Sequence, residues 1–154
     1  MTFSSSIMTT YGRIDIAFTH GEGSFLISED GKRYLDYATG IAVNAFGHCH
    51  PKLVAALQDQ ASKLWHTSNL YRIPEQEAVA EKLVANSCAD RVFFCNSGAE
   101  ATEGAVKVAR RYAWSKGEKE RTEIICATGA FHGRTLAAIY ASGSKKMTEG
   151  FGPK

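Results

Sequence analysis

Several things are missing from this 154-residue chain, and each absence closes off a class of function. No apolar run approaches the length that crosses a bilayer. The first residues, MTFSSSIMTTYG, carry neither the basic start and apolar stretch of a secretion leader nor an arginine-rich amphipathic import segment. Charge of one sign is lacking too. The formal net charge is only +2 and the basic residues are scattered, which leaves no footprint for nucleic acid or for an anionic membrane surface. The four cysteines, Cys49, Cys88, Cys95 and Cys126, form no C-x-x-C pair; lying mostly in apolar runs, they read as buried reduced thiols of a cytoplasmic protein. Internal repeats and low-complexity tracts are absent. So are G-x-G-x-x-G and a glycine loop ending in G-K-S/T, which excludes the dinucleotide fingerprint and the P-loop.

What is present suits one soluble globular domain with an ordinary core: 44% hydrophobic residues and 22% charged residues of both signs. In SFLISEDGKRYLDYA, apolar and polar residues alternate on both sides of Glu29-Asp30-Gly31-Lys32, which predicts a hairpin with Asp-Gly at its turn. Pro51 fits a first helical position, and Leu53, Leu57, Ala61 and Leu64 continue at helical spacing to about Trp65. A second helix is predicted from Pro74 to near Asn86, with Glu75 and Glu77 in the turn where the helix dipole favours acids and with Val79 and Leu83 facing inward. RVFFC (91–95) then reads as a short buried strand, Gly98 to about Trp114 as a helix, and TEIICA (122–127) as a second buried strand. Strand, helix and strand make a right-handed crossover between parallel strands, so the fold class is α/β, with the hairpin in a separate smaller subdomain.

The chemistry gathers where strands hand over to helices. In open parallel sheets, ligands bind beyond the carboxyl ends of strands, and the first amides of the next helix offer unpaired donors and partial positive charge. Between RVFFC and its helix, Gly98 permits close backbone approach, Ser97 adds a hydroxyl and Ala99 keeps the first turn slim, a combination that suits a phosphate. The plain alternative is a turn and helix cap formed by Asn96, Ser97 and Gly98 with no ligand. The predicted helix behind has Ala101, Ala105, Val108 and Tyr112 on its apolar face, and Glu100, Glu103, Lys107 and Arg110 on the other. After TEIICA, TGAFHGRT brings Phe131, His132 and Arg134 to the same rim. An aromatic face can stack on a flat heterocycle, and a guanidinium grips a carboxylate with two parallel hydrogen bonds. A core phenylalanine, a structural histidine and a surface arginine are the competing readings. His48, Cys49 and His50 in GHCHP lack the spacing of a zinc site and have no second ligand pair, so no metal is expected.

Four stretches, GIAVNAFGHCHP, SNLYRIPEQEAVAEKLV, FFCNSGAEATEGAVKVAR and AFHGRT, together resemble the class III aminotransferases of the ornithine and acetylornithine type, from about Tyr11 onward. The resemblance implies a fold-type I enzyme that uses pyridoxal 5'-phosphate and works as a homodimer. It implies that Ser97, Gly98 and Ala99 hold the cofactor phosphate, that Phe131 stacks on the pyridine ring with His132 beside it, and that Arg134 binds the substrate's α-carboxylate. Ornithine-specific members carry a tyrosine where this chain has Ile41, which points to the acetylornithine or 4-aminobutyrate branches. Asn44 and SNLYRIP lean to the first. The implied reaction moves the δ-amino group of N-acetylornithine to 2-oxoglutarate, in arginine biosynthesis; 4-aminobutyrate and ornithine are the alternative donors.

Members of the family are more than twice this long, and their Schiff-base lysine and the aspartate that faces the pyridine nitrogen lie downstream of any residue here. Lys145, Lys146 and Lys154, in SGSKKMTEGFGPK, fall in a polar loop and are not expected to be that lysine. The expected organisation is a small-subdomain segment over residues 1–50 and the first part of a large parallel-sheet domain over 51–154. The fragment is expected to be inactive alone, its sheet edge unpaired and its apolar surface uncovered. A non-catalytic piece that binds phosphate compounds or a full-length subunit is the alternative.

Overall fold

The turn at Glu29-Asp30-Gly31-Lys32 follows from its residues. Gly31 adopts a φ of +78°, which a side chain would resist, and its N–H donates to Ser28 O at 2.9 Å. Ser28 Oγ donates to Asp30 Oδ1, and Lys32 Nζ lies 2.6 Å from Asp30 Oδ2. These bonds close the hairpin between β2 (Phe25–Ser28) and β3 (Arg33–Leu35). A third strand that the sequence reading passed over, β1 (Phe18–Glu22), pairs antiparallel with β2, so the sheet order is β1-β2-β3. Its sequence, FTHGE, hides it: the register shifts between Phe18 and His20 and breaks the alternation that marks a strand. Side chains across the sheet meet in pairs. Phe18 packs edge-on to Tyr34 at 5.5 Å, and the Arg33 guanidinium sits 3.5 Å over the Phe25 ring.

The structure is a computed structural model that describes residues 6–152 and resolves the chain into two compact units, Met1–Ile73 and Pro74–Lys154. In the first unit the sheet is followed by α1 (Thr39–Ala42), a single turn with the wrong hand. Thr39, Gly40, Ile41 and Ala42 have φ of 46°, 64°, 66° and 60°. Left-handed geometry costs roughly 1–2 kcal/mol per residue with a Cβ, so Thr39, Ile41 and Ala42 together store on the order of 3–6 kcal/mol. Next comes α2 (Pro51–Ala61), with Pro51 at its first position. It stops four residues short of Trp65, whose indole N–H instead donates to Ala61 O at 2.6 Å and so caps the end.

The second unit opens with α3 (Pro74–Ala85), with Glu75 and Glu77 in its first turn and Lys82 in its last, as the dipole favours. The long helix α4 (Gly98–Ser115) follows, then the short α5 (Leu136–Ala141) and α6 (Lys145–Thr148). The predicted loop around Lys145 and Lys146 thus contains one helical turn, on which both lysines are exposed. Tyr140 Oη ties the segment after it to α5 by donating to Gly152 O at 2.6 Å. The core of this unit is small: Ala113 of α4 and Ala138 and Ile139 of α5. Lys154 lies outside the described residues. No helix among the described residues is long and apolar enough to cross a membrane.

Three expectations need correction. Residues 91–95 and 122–127 join no ladder, so the only sheet among the described residues is the antiparallel one, and Phe93 and Ile125 stand 78% and 101% exposed. A parallel strand is held only by its neighbours, and consecutive strands are not always neighbours, so a strong β pattern without partners remains irregular backbone. The four cysteines are exposed and free, not buried, because the apolar runs that hold them are uncovered. Val79, Leu83, Val108 and Tyr112, expected to face inward, are exposed for the same reason.

Candidate functional site

The turn before α4 is built as a helix cap and keeps donors to spare. Ser97 has extended backbone (φ −155°, ψ 161°), and its Oγ accepts the N–H of Glu100 at 3.2 Å. The Glu100 carboxylate reaches back past the cap and accepts the Asn96 N–H at 2.6 Å, a variant of the capping box shifted by one residue, which the S-x-x-E spacing of Ser97 and Glu100 could have announced. The capping alternative is therefore real, yet it does not use up the site. The first backbone bond of the helix runs from Ala101 N to Ser97 O, and the N–H groups of Gly98 and Ala99 precede it, where a helix supplies no acceptors. A serine hydroxyl that accepts one bond still has its own proton to donate. Nothing lies within 4 Å of the place where a Cβ on Gly98 would stand. Two amides without an intrahelical acceptor and a serine hydroxyl thus stand at the positive end of an eighteen-residue helix, beside open space at Gly98, which suits a dianionic group.

The loop Phe131–Arg134 is brought against this turn by contact. Gly133 has a φ of +117°, and a Cβ there would lie 2.7 Å from Ala99 Cβ and 2.9 Å from Ala99 Cα, so only glycine lets the loop rest on the first turn of α4. Thr135 Oγ1 fastens the same loop by donating to Glu103 Oε1 at 2.6 Å, across 32 residues of sequence. Neither tie was legible beforehand, since each joins residues with no patterned spacing. Phe131 is exposed, as stacking on a ligand would need, and Arg134 is exposed with contacts of its own. His132 lies half-buried, its Nε2 sealed from solvent with no hydrogen-bond partner. It borders a groove of about 450 Å³ lined by Thr102, Ala105, Val106, Ala109, Ile124 and Ile125. An orphaned, buried ring nitrogen costs free energy unless something pairs with it.

Comparison with known proteins gives this arrangement a family. Residues 7–154 match the family Aminotransferase class-III. The chain belongs to the class III aminotransferases. Among members of that family, it is 60% identical over 149 residues to the acetylornithine aminotransferase of Rhodobacter capsulatus, covering 97% of this chain and 38% of that protein. The chain thus spans well under half the length of the curated relatives that it matches. The N-acetylornithine aminotransferase of Stenotrophomonas maltophilia superposes with a TM-score of 0.72 at 45% identity, covering 80% of this chain and 34% of that one. The ornithine aminotransferase of Toxoplasma gondii, whose active site holds pyridoxal phosphate at partial occupancy, superposes with a TM-score of 0.87 at 29% identity over 96% of this chain and 35% of its own. The fold is accordingly α/β, and the described residues form part of the fold-type I architecture that these aminotransferases share.

The first unit of this family member holds a second cluster of functional groups, in the residues GIAVNAFGHCHP. His48 Nε2 donates to Asp36 Oδ2 at 2.8 Å, because an ionised carboxylate can only accept, and Asn44 Nδ2 donates to His48 Nδ1 at 3.0 Å. Asp36 Oδ1 accepts the N–H groups of Ala38 at 3.0 Å and Thr39 at 2.9 Å. The bond from His48, then those from the two amides, hold the Asp36 carboxyl below its usual range against the effect of burial. His48 is thereby occupied with structure. Its backbone pairs with Gly23, and its ring lies so close to Gly21 that a Cβ there would stand 2.6 Å from His48 Cγ.

Proposed function

We propose that the complete protein is a pyridoxal-phosphate-dependent transaminase of the cytoplasm, a homodimer that moves the δ-amino group of N-acetylornithine to 2-oxoglutarate within arginine biosynthesis. The observation that carries this reading is the contact of the Phe131–Arg134 loop with the open Gly98–Ala99 turn, through Gly133 and Ala99. That contact brings the loop that carries Phe131 and Arg134 against the turn, which supports reading a phosphate-type donor cluster, an aromatic face and a guanidinium as parts of one site. Support for the donor comes from the relatives: proteins named for acetylornithine share 45–60% of aligned residues with this chain, against 29% for one named for ornithine.

In this reading the Gly98 and Ala99 amides and the Ser97 hydroxyl hold the cofactor's phosphate. Phe131 covers one face of its ring, with His132 as its neighbour. The cofactor, when bound, supplies the electron sink for amino-group transfer. Arg134 orients the substrate by its α-carboxylate with two parallel bonds, which fixes the reacting carbon relative to the ring. The proposed organisation keeps residues 1–50 as a small-subdomain segment and 51–154 as the start of the large domain. The 154-residue chain alone is expected to be inactive, since its apolar surface is uncovered and the lysines of α6 stand exposed.

The test is an assay of the complete polypeptide that carries these residues, with 2-oxoglutarate as acceptor and N-acetylornithine, ornithine or 4-aminobutyrate as donor. N-acetylornithine is expected to have the highest kcat/KM. A preference for either other donor overturns the substrate assignment, and no turnover of any of them overturns the activity.

A further inference from the structure

Thr135 stands where a side chain caps a helix, and its own does not. It precedes α5 with extended backbone (φ −69°, ψ 161°), a place from which a threonine hydroxyl ordinarily accepts an N–H of its own helix's first turn. That hydroxyl instead donates to Glu103 Oε1 of α4 at 2.6 Å, while the Thr135 carbonyl accepts the Ile139 N–H at 2.9 Å and starts α5. One residue thus fastens two helices. Glu103 departs from its surroundings in the matching way: of Glu100, Glu103, Lys107 and Arg110, which share the polar face of α4, it alone is half-buried and the other three are exposed. The near end of the loop is held by shape. Gly133 is buried at φ +117°, where a Cβ would lie 2.7 Å from Ala99 Cβ and 3.4 Å from Ala138 Cβ. Arg134, itself exposed, is therefore the single residue between two anchors, one at Ala99 in the first turn of α4 and one at Glu103, about 6 Å further along the helix axis. Its backbone cannot slide along α4 without losing one of them.

We propose that Glu103 and Thr135 are positioning residues that act through Arg134: their bond pegs the loop to α4 and so fixes the place of the guanidinium relative to the Gly98–Ala99 turn. This rests on the transaminase reading above and deepens it, because it assigns the spacing between the carboxylate site and the phosphate site to two side chains that touch neither ligand. Both sites and both pegs lie in the second unit, so the spacing is a property of that unit alone. A hydroxyl-to-carboxylate bond is charge-assisted and directional, and substitutions can separate it from shape. Thr135→Val removes the hydroxyl at almost constant volume, and Thr135→Ser keeps it. Glu103→Ala removes the acceptor, whereas Glu103→Gln keeps a side-chain oxygen that accepts the same proton without the charge.

The experiment is a kinetic cycle on the complete polypeptide, with N-acetylornithine as donor and 2-oxoglutarate as acceptor, beside a titration of each apo variant with pyridoxal phosphate. Thr135→Val is expected to raise KM for both substrates about tenfold, because each carries an α-carboxylate for the same guanidinium, with cofactor affinity within about twofold of wild type. Thr135→Ser should recover most of the loss. In an Arg134→Lys background, Thr135→Val should add less than about twofold, since the pegs have no fork left to place. A bond that served the fold alone would lower the amount of active holoenzyme, and with it kcat, and leave both KM values unchanged; that pattern overturns the inference, as do losses that multiply in the double variant. Where Thr135→Val does not accumulate as folded protein, Glu103→Gln weakens the same bond at constant shape and should raise both KM values about two- to fourfold; unchanged values there overturn the inference equally. A wild-type polypeptide that transaminates no donor overturns the activity, and this inference with it.

Discussion

Gly98 separates a ligand site from a mere cap, and one methyl group tells them apart. Its φ is not in the left-handed region, and no atom stands within 4 Å of an added Cβ, so Gly98→Ala meets no obstacle in the protein. Alanine at such a place narrows the unfolded ensemble, and the apo polypeptide should keep its stability or gain about 0.4–1 kcal/mol. A phosphate oxygen bonded to the amides of this turn would meet that methyl group. Losing one charge-assisted hydrogen bond costs about 1.5–3 kcal/mol, which is about 10- to 150-fold in affinity. The assay is a titration of the apo polypeptide with pyridoxal phosphate, followed by absorbance, beside urea unfolding of the same protein. A cofactor affinity within about twofold of wild type refutes the cradle. So does a loss of apo stability that matches the loss of affinity, since the methyl would then be crowding the fold and not the ligand.

Gly133→Ala should behave in the opposite way. Its Cβ would stand 2.7 Å from Ala99 Cβ at a φ of +117°, and strain plus overpacking should cost about 2–5 kcal/mol of stability in urea unfolding, with or without cofactor. Arg134→Lys should raise KM for amino-acid substrates at least about tenfold and leave cofactor affinity unchanged, because a point charge cannot copy the planar fork; equal loss of both would place Arg134 with the phosphate or the fold. The Asp30 carboxyl should titrate at about 2, since the hydrogen bonds from Lys32 and then Ser28 favour its ionised form. A depressed carboxyl stabilises the hairpin above the unfolded value of about 3.9 and loses that effect as pH falls toward 2. A carboxyl-carbon NMR titration of Asp30 with its midpoint near 4 would show that these bonds do not persist in solution.

The parts of this chain readable in advance were those with local causes. Pro51 and Pro74 open helices because a proline lacks only an N–H that is unpaired there anyway, and Asp30-Gly31 turns the hairpin because glycine accepts the positive φ. The helix start at Gly98, with Ser97 as its cap, could be recognised for the same reason, since a small, polar start to an amphipathic helix is a local statement. What escaped was set by distant partners. The pairing of FTHGE with β2, the Gly133–Ala99 contact and the Thr135–Glu103 bond depend on residues that no spacing rule connects. RVFFC and TEIICA went wrong in the opposite direction: their composition is that of buried strands, but a strand exists only with a neighbour. His48 shows a third case. GHCHP invites a metal reading, and the histidine serves Asp36 and Asn44 instead.

Phe93 and Ile125, bare in the second unit, set a timetable for synthesis. In a relative such as the Rhodobacter capsulatus enzyme, 149 aligned residues are 38% of the protein, so roughly 240 residues follow or flank the matching region. At about 5–20 residues per second a ribosome needs roughly 12–50 s to deliver such a length, far longer than a nascent chain takes to collapse. Throughout that interval both segments would be on offer to any apolar surface nearby. Apolar segments that wait so long for a neighbour are open to off-pathway association, so for a chain of this design the order of synthesis is a hazard separate from the stability of the finished fold.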